Sequence, residues 1–420
     1  MSVLLGCIAD DFTGATDLAG TLVREGMSAV QMIGVPSGPP PDVDAVVVAL
    51  KSRTTPVDNA IADSLAALDW LRAAGCRQYF FKYCSTFDST DEGNIGPVAE
   101  ALLDALGDGF TIACPAFPRN RRTICKGYLF VGDVLLNESG MQDHPLTPMT
   151  DANLVRVLDR QTKGAVGLVD YGTVRRSAAA TRDAFATLRD AGVQFAVVDA
   201  LDDADLVTIG EACNEMPLIT GGSGVAIGLP ANFKRAGLLT STEPADRLPS
   251  VQGYAAVLAG SCSRATRQQI DVFRDTHPAL KIDPLELAED SSVAARTVEW
   301  AAARLADGPV LAYASADPEE VQKAQQALGI ERAGALVEDA MAEIARGLVT
   351  RGVRRLIVAG GETSGAVVGG LGITGLRIGP EIDPGVPWTA SLGETPLLLA
   401  LKSGNFGAPD FFTKAFGQLQ

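Results

Sequence analysis

Two adjacent carboxylates, Asp10 and Asp11, stand in ADDFTGATDLAG (9–20), where an apolar run gives way to a helix-like one. A carboxylate pair at such a junction can take a proton from a hydroxyl, hydrogen-bond a polyol or hold a metal. It can equally be a helix cap beside a solvated acid. The next two junctions bring cations and hydroxyls. KSRTTP (51–56) offers Arg53, a fork donor suited to a carboxylate, with Lys51 adding charge. FKYCSTFDSTDEGNIGP (81–97) offers Lys82, the hydroxyls Ser85, Thr86, Ser89 and Thr90, Asp88 among them, and Asn94 just before a helix. Small polar groups of this kind suit the hydroxyls of a short sugar acid, or plain local capping. CPAFPRNRRT (114–123) holds the densest basic cluster, Arg119, Arg121 and Arg122, of which Arg119 is the candidate for an anion clamp.

Glycine turns follow in the second half: LAGSCSRAT (258–266), VAGGETSG (358–365) and KSGNFGAPDFF (402–412). Each puts backbone N–H groups and hydroxyls where a strand ends, which is how phosphate is cradled with little side-chain charge. None has the spacing G-x-x-x-x-G-K-[ST], so a P-loop is disfavoured. None is G-x-G-x-x-G, so a nicotinamide-binding dehydrogenase is disfavoured too. Three such turns, beside a first half with carboxylate- and polyol-binding chemistry, suggest a nucleotide facing a small acid. The only histidines are His144 and His277, too few for a zinc site rich in His. His144 either reaches the substrate or caps its loop. GGSGVAIG (221–228) departs from the nucleophile-elbow spacing and reads as a glycine turn closing the first domain.

The elements that position these residues alternate. VLLGCIA, AVVVAL, QYFFKY and FTIACPA are apolar, β-rich runs, separated by alanine-rich amphipathic stretches such as NAIADSLAALDWLRAAG. This βαβα rhythm predicts an α/β protein. At 420 residues one core is too few. The expectation is two domains, each a mostly parallel sheet flanked by helices in three layers. KRAGLLTSTEPADRLPSV, around 235–250, breaks the rhythm and reads as a linker. The expected domains are 1–240, binding the acid, and 250–420, binding the nucleotide. Net charge is −16, which argues against a nucleic-acid partner but not against a small anion. Seven cysteines without a C-x-x-C fit buried thiols in a reducing cytoplasm. MSVLLGCIADD reads as a first strand rather than a signal peptide, and no apolar run approaches the ~18 residues of a membrane span.

Taken together, DDFTGATDLAG, KSRTTP, FKYCSTFDSTDEGNIGPV, GSCSRATRQQI, VAGGETSGAVV and SGNFGAPDFF resemble the four-carbon acid sugar kinases over nearly the whole chain. KYCSTFDST…GNIGP and the ending SGNFGAPDFFTKAF most resemble the 3-oxo-tetronate branch. The resemblance implies ATP-dependent phosphorylation of the terminal 4-hydroxyl of 3-oxo-tetronate. It further implies ATP contacts at Ser261, Gly360, Gly361, Glu362, Thr363 and Gly404. On this reading Arg53 and Lys82 hold the acid's carboxylate, with Ser85, Thr86, Asn94 and Arg119 as further substrate contacts. Asp10 or Asp11 takes the hydroxyl proton, and the domains close over the substrates. Mg²⁺ is expected with ATP; its ligands are left open, Glu362 and waters being candidates. The competing readings are a threonate or erythronate kinase and a non-catalytic sensor of sugar acid and nucleotide. Assembly into a homo-oligomer is left open.

Overall fold

The computed structural model describes residues 3–144, 146–241 and 243–419. The chain divides into two compact units at Asp246/Arg247.

The first unit alternates strands and helices. Its strands are β1 (Leu5–Ala9), β2 (Ala29–Ile33), β3 (Ala45–Ala49), β4 (Gln78–Lys82), β5 (Thr111–Cys114), β6 (Arg122–Cys125), β7 (Tyr128–Val131), β8 (Val134–Leu135), β9 (Ala165–Val169), β10 (Val193–Val198) and β11 (Leu218–Gly221). Its helices are α1 (Phe12–Arg24), α2 (Val57–Ala73), α3 (Ile95–Leu106), α4 (Leu154–Gln161), α5 (Tyr171–Val174), α6 (Ala178–Asp190), α7 (Asp203–Ala212) and α8 (Pro230–Arg235). The main strands run β2-β3-β1-β4-β11-β5-β10-β9, every neighbour parallel. β1, β3 and β4 are buried at every position, as strands covered by helices on both faces must be. The chain leaves β1 toward β2 and β3 on one side and returns to β4 on the other. That reversal opens a crevice at the carboxyl ends of β1, β3 and β4, the usual ligand position in such sheets.

Three segments differ from expectation. The 221–228 stretch is more than a glycine turn: Ser223–Gly228 is a buried 3₁₀ helix. A side chain on Gly228 would strike the Gly210 backbone of α7, so the glycine pair lets these elements touch. The arginine-rich segment after β5 enters a small antiparallel sheet, β6-β7-β8, which the βαβ rhythm does not foretell. β2 escapes pattern reading because it carries Gln31, which is buried and accepts a hydrogen bond from Thr16 Oγ1 at 2.7 Å.

In the second unit the strands are β12 (Tyr254–Ala259), β13 (Ala279–Lys281), β14 (Val310–Tyr313), β15 (Val353–Ala359), β16 (Gly375–Asp383), β17 (Val386–Ser391) and β18 (Leu398–Lys402). The helices are α9 (Arg264–Arg274), α10 (Pro284–Glu289), α11 (Val293–Ala302), α12 (Pro318–Leu328), α13 (Ile330–Thr350), α14 (Gly361–Gly370) and α15 (Phe411–Gly417). Their order is β13-β14-β12-β15-β18-β17-β16, parallel as far as β18 and antiparallel beyond it. Trp388, Phe273, Phe411 and Phe412 centre the core on one face, and the Trp388 indole N–H is satisfied by the Ala415 carbonyl at 3.0 Å. β12, β15 and β18 are adjacent and parallel, so the three glycine turns that follow them leave the sheet at one edge.

Candidate functional site

In the first unit, backbone bonds splice the strand ends together. The Asp10 N–H donates to the Lys82 carbonyl at 3.0 Å, and the Ser52 N–H to the Asp10 carbonyl at 3.0 Å. Arg53 is thereby held over Asp10 and Asp11. Its Nε and Nη2 donate to the two Asp10 oxygens at 2.9 and 3.0 Å, Nη2 also reaches Asp11 Oδ1 at 2.7 Å, and Nη1 stands 3.6 Å from Asp88. Asp11 also caps α1, accepting from the Gly14 N–H at 3.1 Å. A side chain on Gly14 would overlap both Asp11 Oδ1 and the Lys82 ammonium, so glycine is what lets these charges meet at the helix start. Lys82 itself is buried.

These fields split the two carboxyls. Burial pushes Asp10 up, and Arg53 only partly draws it back. Burial acts on Asp11 as well, but Lys82, Arg53 and the Gly14 N–H outweigh it and hold Asp11 below the usual carboxylate range. Burial disfavours the Arg53 cation, and Asp10 and Asp11 overcome that and hold it charged. The nearby Cys84 thiol is pushed up to about 11, chiefly by burial, which leaves no thiolate nucleophile there.

The other predicted contacts fall into distinct places. Asn94 Nδ2 donates to the carbonyls of Ser52 at 2.7 Å and Thr55 at 2.9 Å, so it hangs the Arg53 loop on the start of α3. Thr86 donates to Asp88 at 2.6 Å and fixes the third carboxylate beside Arg53. Ser85 lies in the tight turn closed by the Phe87 N–H on the Cys84 carbonyl at 2.9 Å. Phe87 is a buried non-glycine residue at φ 52°, held there by edge-on packing against Tyr83. Arg119 is engaged elsewhere, with Asp203 at the start of α7. His144 caps its own loop, accepting from the Thr147 N–H at 3.0 Å. Sequence reasoning missed Asp17: it lies one turn beyond Gly14 on α1, its carboxyl is pushed up by burial, and Lys82 pulls it back. No local signal marks it.

In the second unit the predicted turns interlock. The Gly260 and Ser261 N–H groups both donate to the Ala359 carbonyl, at 3.0 and 3.1 Å, and the Gly360 N–H donates to the Lys402 carbonyl at 2.9 Å. Gly360 has φ 132°, open to glycine alone. A side chain at Gly260 would overlap Thr363 Oγ1, and one at Gly404 would overlap Ser261 Oγ. Ser263 caps α9, accepting from the Thr266 N–H at 3.2 Å, while its hydroxyl donates to the Gly404 carbonyl at 2.5 Å. Ser261, Gly360, Thr363 and Gly404 thus form one surface of small groups, with Gly361 and Glu362 opening α14 beside it.

That surface borders a cleft of about 490 Å³. Gly260, Cys262, Glu362 and Thr363 line one part; Ile282, Leu285, Val321, Ile330 and Val337, from the α10, α12 and α13 region, line another. Ile330 is 70% exposed, a large apolar side chain left open to water at the cleft. Lys281, Asp283, Glu320 and Lys323 stand among these apolar side chains, so the cleft joins apolar surface to a few polar groups, as small-molecule sites do. Sequence reasoning missed this apolar lining, because its residues come from separate helices whose apolar positions read as core. It also missed Lys402, buried at the end of β18.

Comparison with known proteins gives the same division. Residues 5–229 match a family model described as a sugar-binding N-terminal domain, and residues 256–412 one described as a nucleotide-binding C-terminal domain. A curated 3-oxo-tetronate kinase of Burkholderia multivorans is 62% identical over 417 residues, 99% of this chain and 97% of that protein. One from Cupriavidus necator is 62% identical over 421 residues, with the same coverage. One from Haemophilus influenzae is 46% identical over 416 residues, 99% of each chain. Among solved structures, a Haemophilus influenzae protein is similar at TM-score 0.89 and 45% identity, covering 99% of this chain and 100% of that one. A Salmonella typhimurium chain is similar at TM-score 0.92 and 45% identity, covering 99% of each. By its two matched domains and these full-length likenesses, the chain belongs to the four-carbon acid sugar kinase family.

Proposed function

We propose that this protein is an ATP-dependent kinase that phosphorylates the terminal 4-hydroxyl of 3-oxo-tetronate, giving 3-oxo-tetronate 4-phosphate. The observation that carries the reading is the interlocked set of glycine turns beside a partly apolar cleft: the opening N–H groups of α14 for phosphates, apolar side chains for a base. The 1–240 part takes the acid and the 250–420 part takes ATP, and the enzyme works in the cytoplasm. The hydroxyl attacks the γ-phosphorus in line, and catalysis is positioning plus charge stabilisation.

Asp11 is the better base of the pair. Arg53 occupies both oxygens of Asp10, whereas Asp11 is held ionised and its side chain is 28% exposed. A low-pKa carboxylate suffices when the hydroxyl proton leaves late, as in a loose phosphoryl-transfer transition state. Lys82 and the Nη1 edge of Arg53, tied only loosely to Asp88, receive the acid's carboxylate. Asn94 and Thr86 hold that arrangement in place.

Among the described residues no group of three or more His, Cys, Asp or Glu is placed to cage a metal. Glu362 beside the phosphate-side turn fits the sparse protein donor set of a Mg²⁺ held mainly by triphosphate oxygens. When bound, that ion neutralises charge on the transferring phosphoryl group.

The test is ADP release, by coupled assay, over a panel of four-carbon acids. Highest kcat/KM on 3-oxo-tetronate is the expected result. A preference for threonate or erythronate overturns the substrate assignment. Ligand-dependent thermal shifts without ADP release overturn the kinase.

A further inference from the structure

Lys402 closes β18 as the last residue of an apolar strand and is 1% exposed. A lysine there is unfavourable by itself, and burial lowers its pKa to about 8. Three acceptors meet its three N–H donors: Thr266 Oγ1 at 2.9 Å and the carbonyls of Ser403 and Gly404, each at 3.1 Å. The Gly404 carbonyl is the point of convergence. It accepts from Lys402 Nζ, from Thr266 Oγ1 at 2.9 Å and from Ser263 Oγ at 2.5 Å.

In a trans peptide the carbonyl and the N–H that follows it point in opposite directions. Carbonyls of Ser403 and Gly404 drawn toward the lysine therefore turn the N–H groups of Gly404 and Asn405 to the other side. Two successive N–H groups facing one way make an anion nest. The ties also join turns distant in sequence, since Ser263 and Thr266 belong to the turn and helix after β12.

We propose that Lys402 is a positioning residue for the nucleotide. From behind the 402–407 turn it holds the N–H groups of Gly404 and Asn405 toward the triphosphate and keeps a positive charge one peptide away from it. This rests on the nucleotide reading of the second unit. It also separates the device from a P-loop, whose lysine reaches the phosphates directly. Here the cation acts through backbone, so a cradle of glycines carries charge without exposing any.

The experiment is calorimetric titration of ATP, ADP and adenosine into the full-length protein and Lys402→Met, with steady-state KM for both substrates. Lys402→Met is expected to bind ATP and ADP about tenfold or more weakly. Adenosine, which lacks phosphate, and KM for the acid are expected to stay within about twofold. A folded Lys402→Met with undiminished ATP affinity overturns the assignment. So does an equal loss for ATP and adenosine, which would mark a merely structural lysine. Should Lys402→Met fail to fold, Thr266→Val removes one donor to the Gly404 carbonyl. Weaker ATP with unchanged adenosine then supports the assignment, and unchanged ATP overturns it. Wild-type protein that binds no ATP removes the nucleotide reading and the lysine role with it; ATP binding that survives Lys402→Met removes the lysine role alone.

Discussion

Asp11→Asn removes a carboxylate while keeping its shape and its cap on α1. Turnover is expected to fall by about 10²–10⁴, with ATP affinity unchanged in the same titrations; undiminished kcat would take Asp11 out of the base role. Gly14→Ala tests the charge geometry from the other side. Its methyl must displace Asp11 or Lys82, so kcat/KM for the acid should drop about tenfold or more at a stability cost of about 1–3 kcal/mol. Asp10, Asp11, Arg53 and Lys82 were legible because each ends an apolar run, and parallel strands bring such ends to one edge. Lys82 and Lys402 end their strands alike, in YFFK and LALK, yet only the first was singled out. Both are buried; Lys82 stands out in the sequence by the acids and hydroxyls around it, whereas the partner of Lys402, Thr266, lies far away in the chain. Asp17 was hidden for a similar reason, since an aspartate on an amphipathic helix ordinarily faces water.

At the scale of elements, β18 carries a pH signature. Lys402 has its pKa lowered to about 8 from an ordinary 10.5. Below pH 8 folded and unfolded chains both hold the proton, and the full burial penalty applies. Between about 8 and 10.5 the unfolded chain keeps a proton that the folded one has released, so this group makes stability rise with pH. Thermal melts of wild type against Lys402→Met should show that rise in the wild type alone; identical pH profiles would refute it. Among the elements, strands of unbroken Val, Ile, Leu and Ala were plain in the sequence. β2 was not, because a buried glutamine breaks its pattern and finds its partner in α1. The β6-β7-β8 sheet was not, because Pro and Arg crowd the segment and its pairing is set by register rather than periodicity.

For the molecule as a whole, net charge decides how anions arrive. At −16 the protein repels a sugar acid and ATP at long range, while Arg53 and Lys82, the cations of the proposed acid site, act only at close quarters. Raising ionic strength from about 20 to about 200 mM shortens the screening length severalfold, so kcat/KM for the acid should rise about twofold. A fall in stopped-flow or steady-state measurements would mean that the local cations dominate the approach. The α/β class was legible from the alternation of apolar and amphipathic stretches. What pattern could not supply was strand order, which loop closure and packing fix together.

That order has a consequence for biosynthesis. β18 follows β15, β16 and β17 in the chain, yet it lies between β15 and β17. The sheet of the nascent second unit therefore stays split until Lys402 has left the ribosome. A chain cut short before β18 would lose an interior plank of the sheet rather than a trailing end.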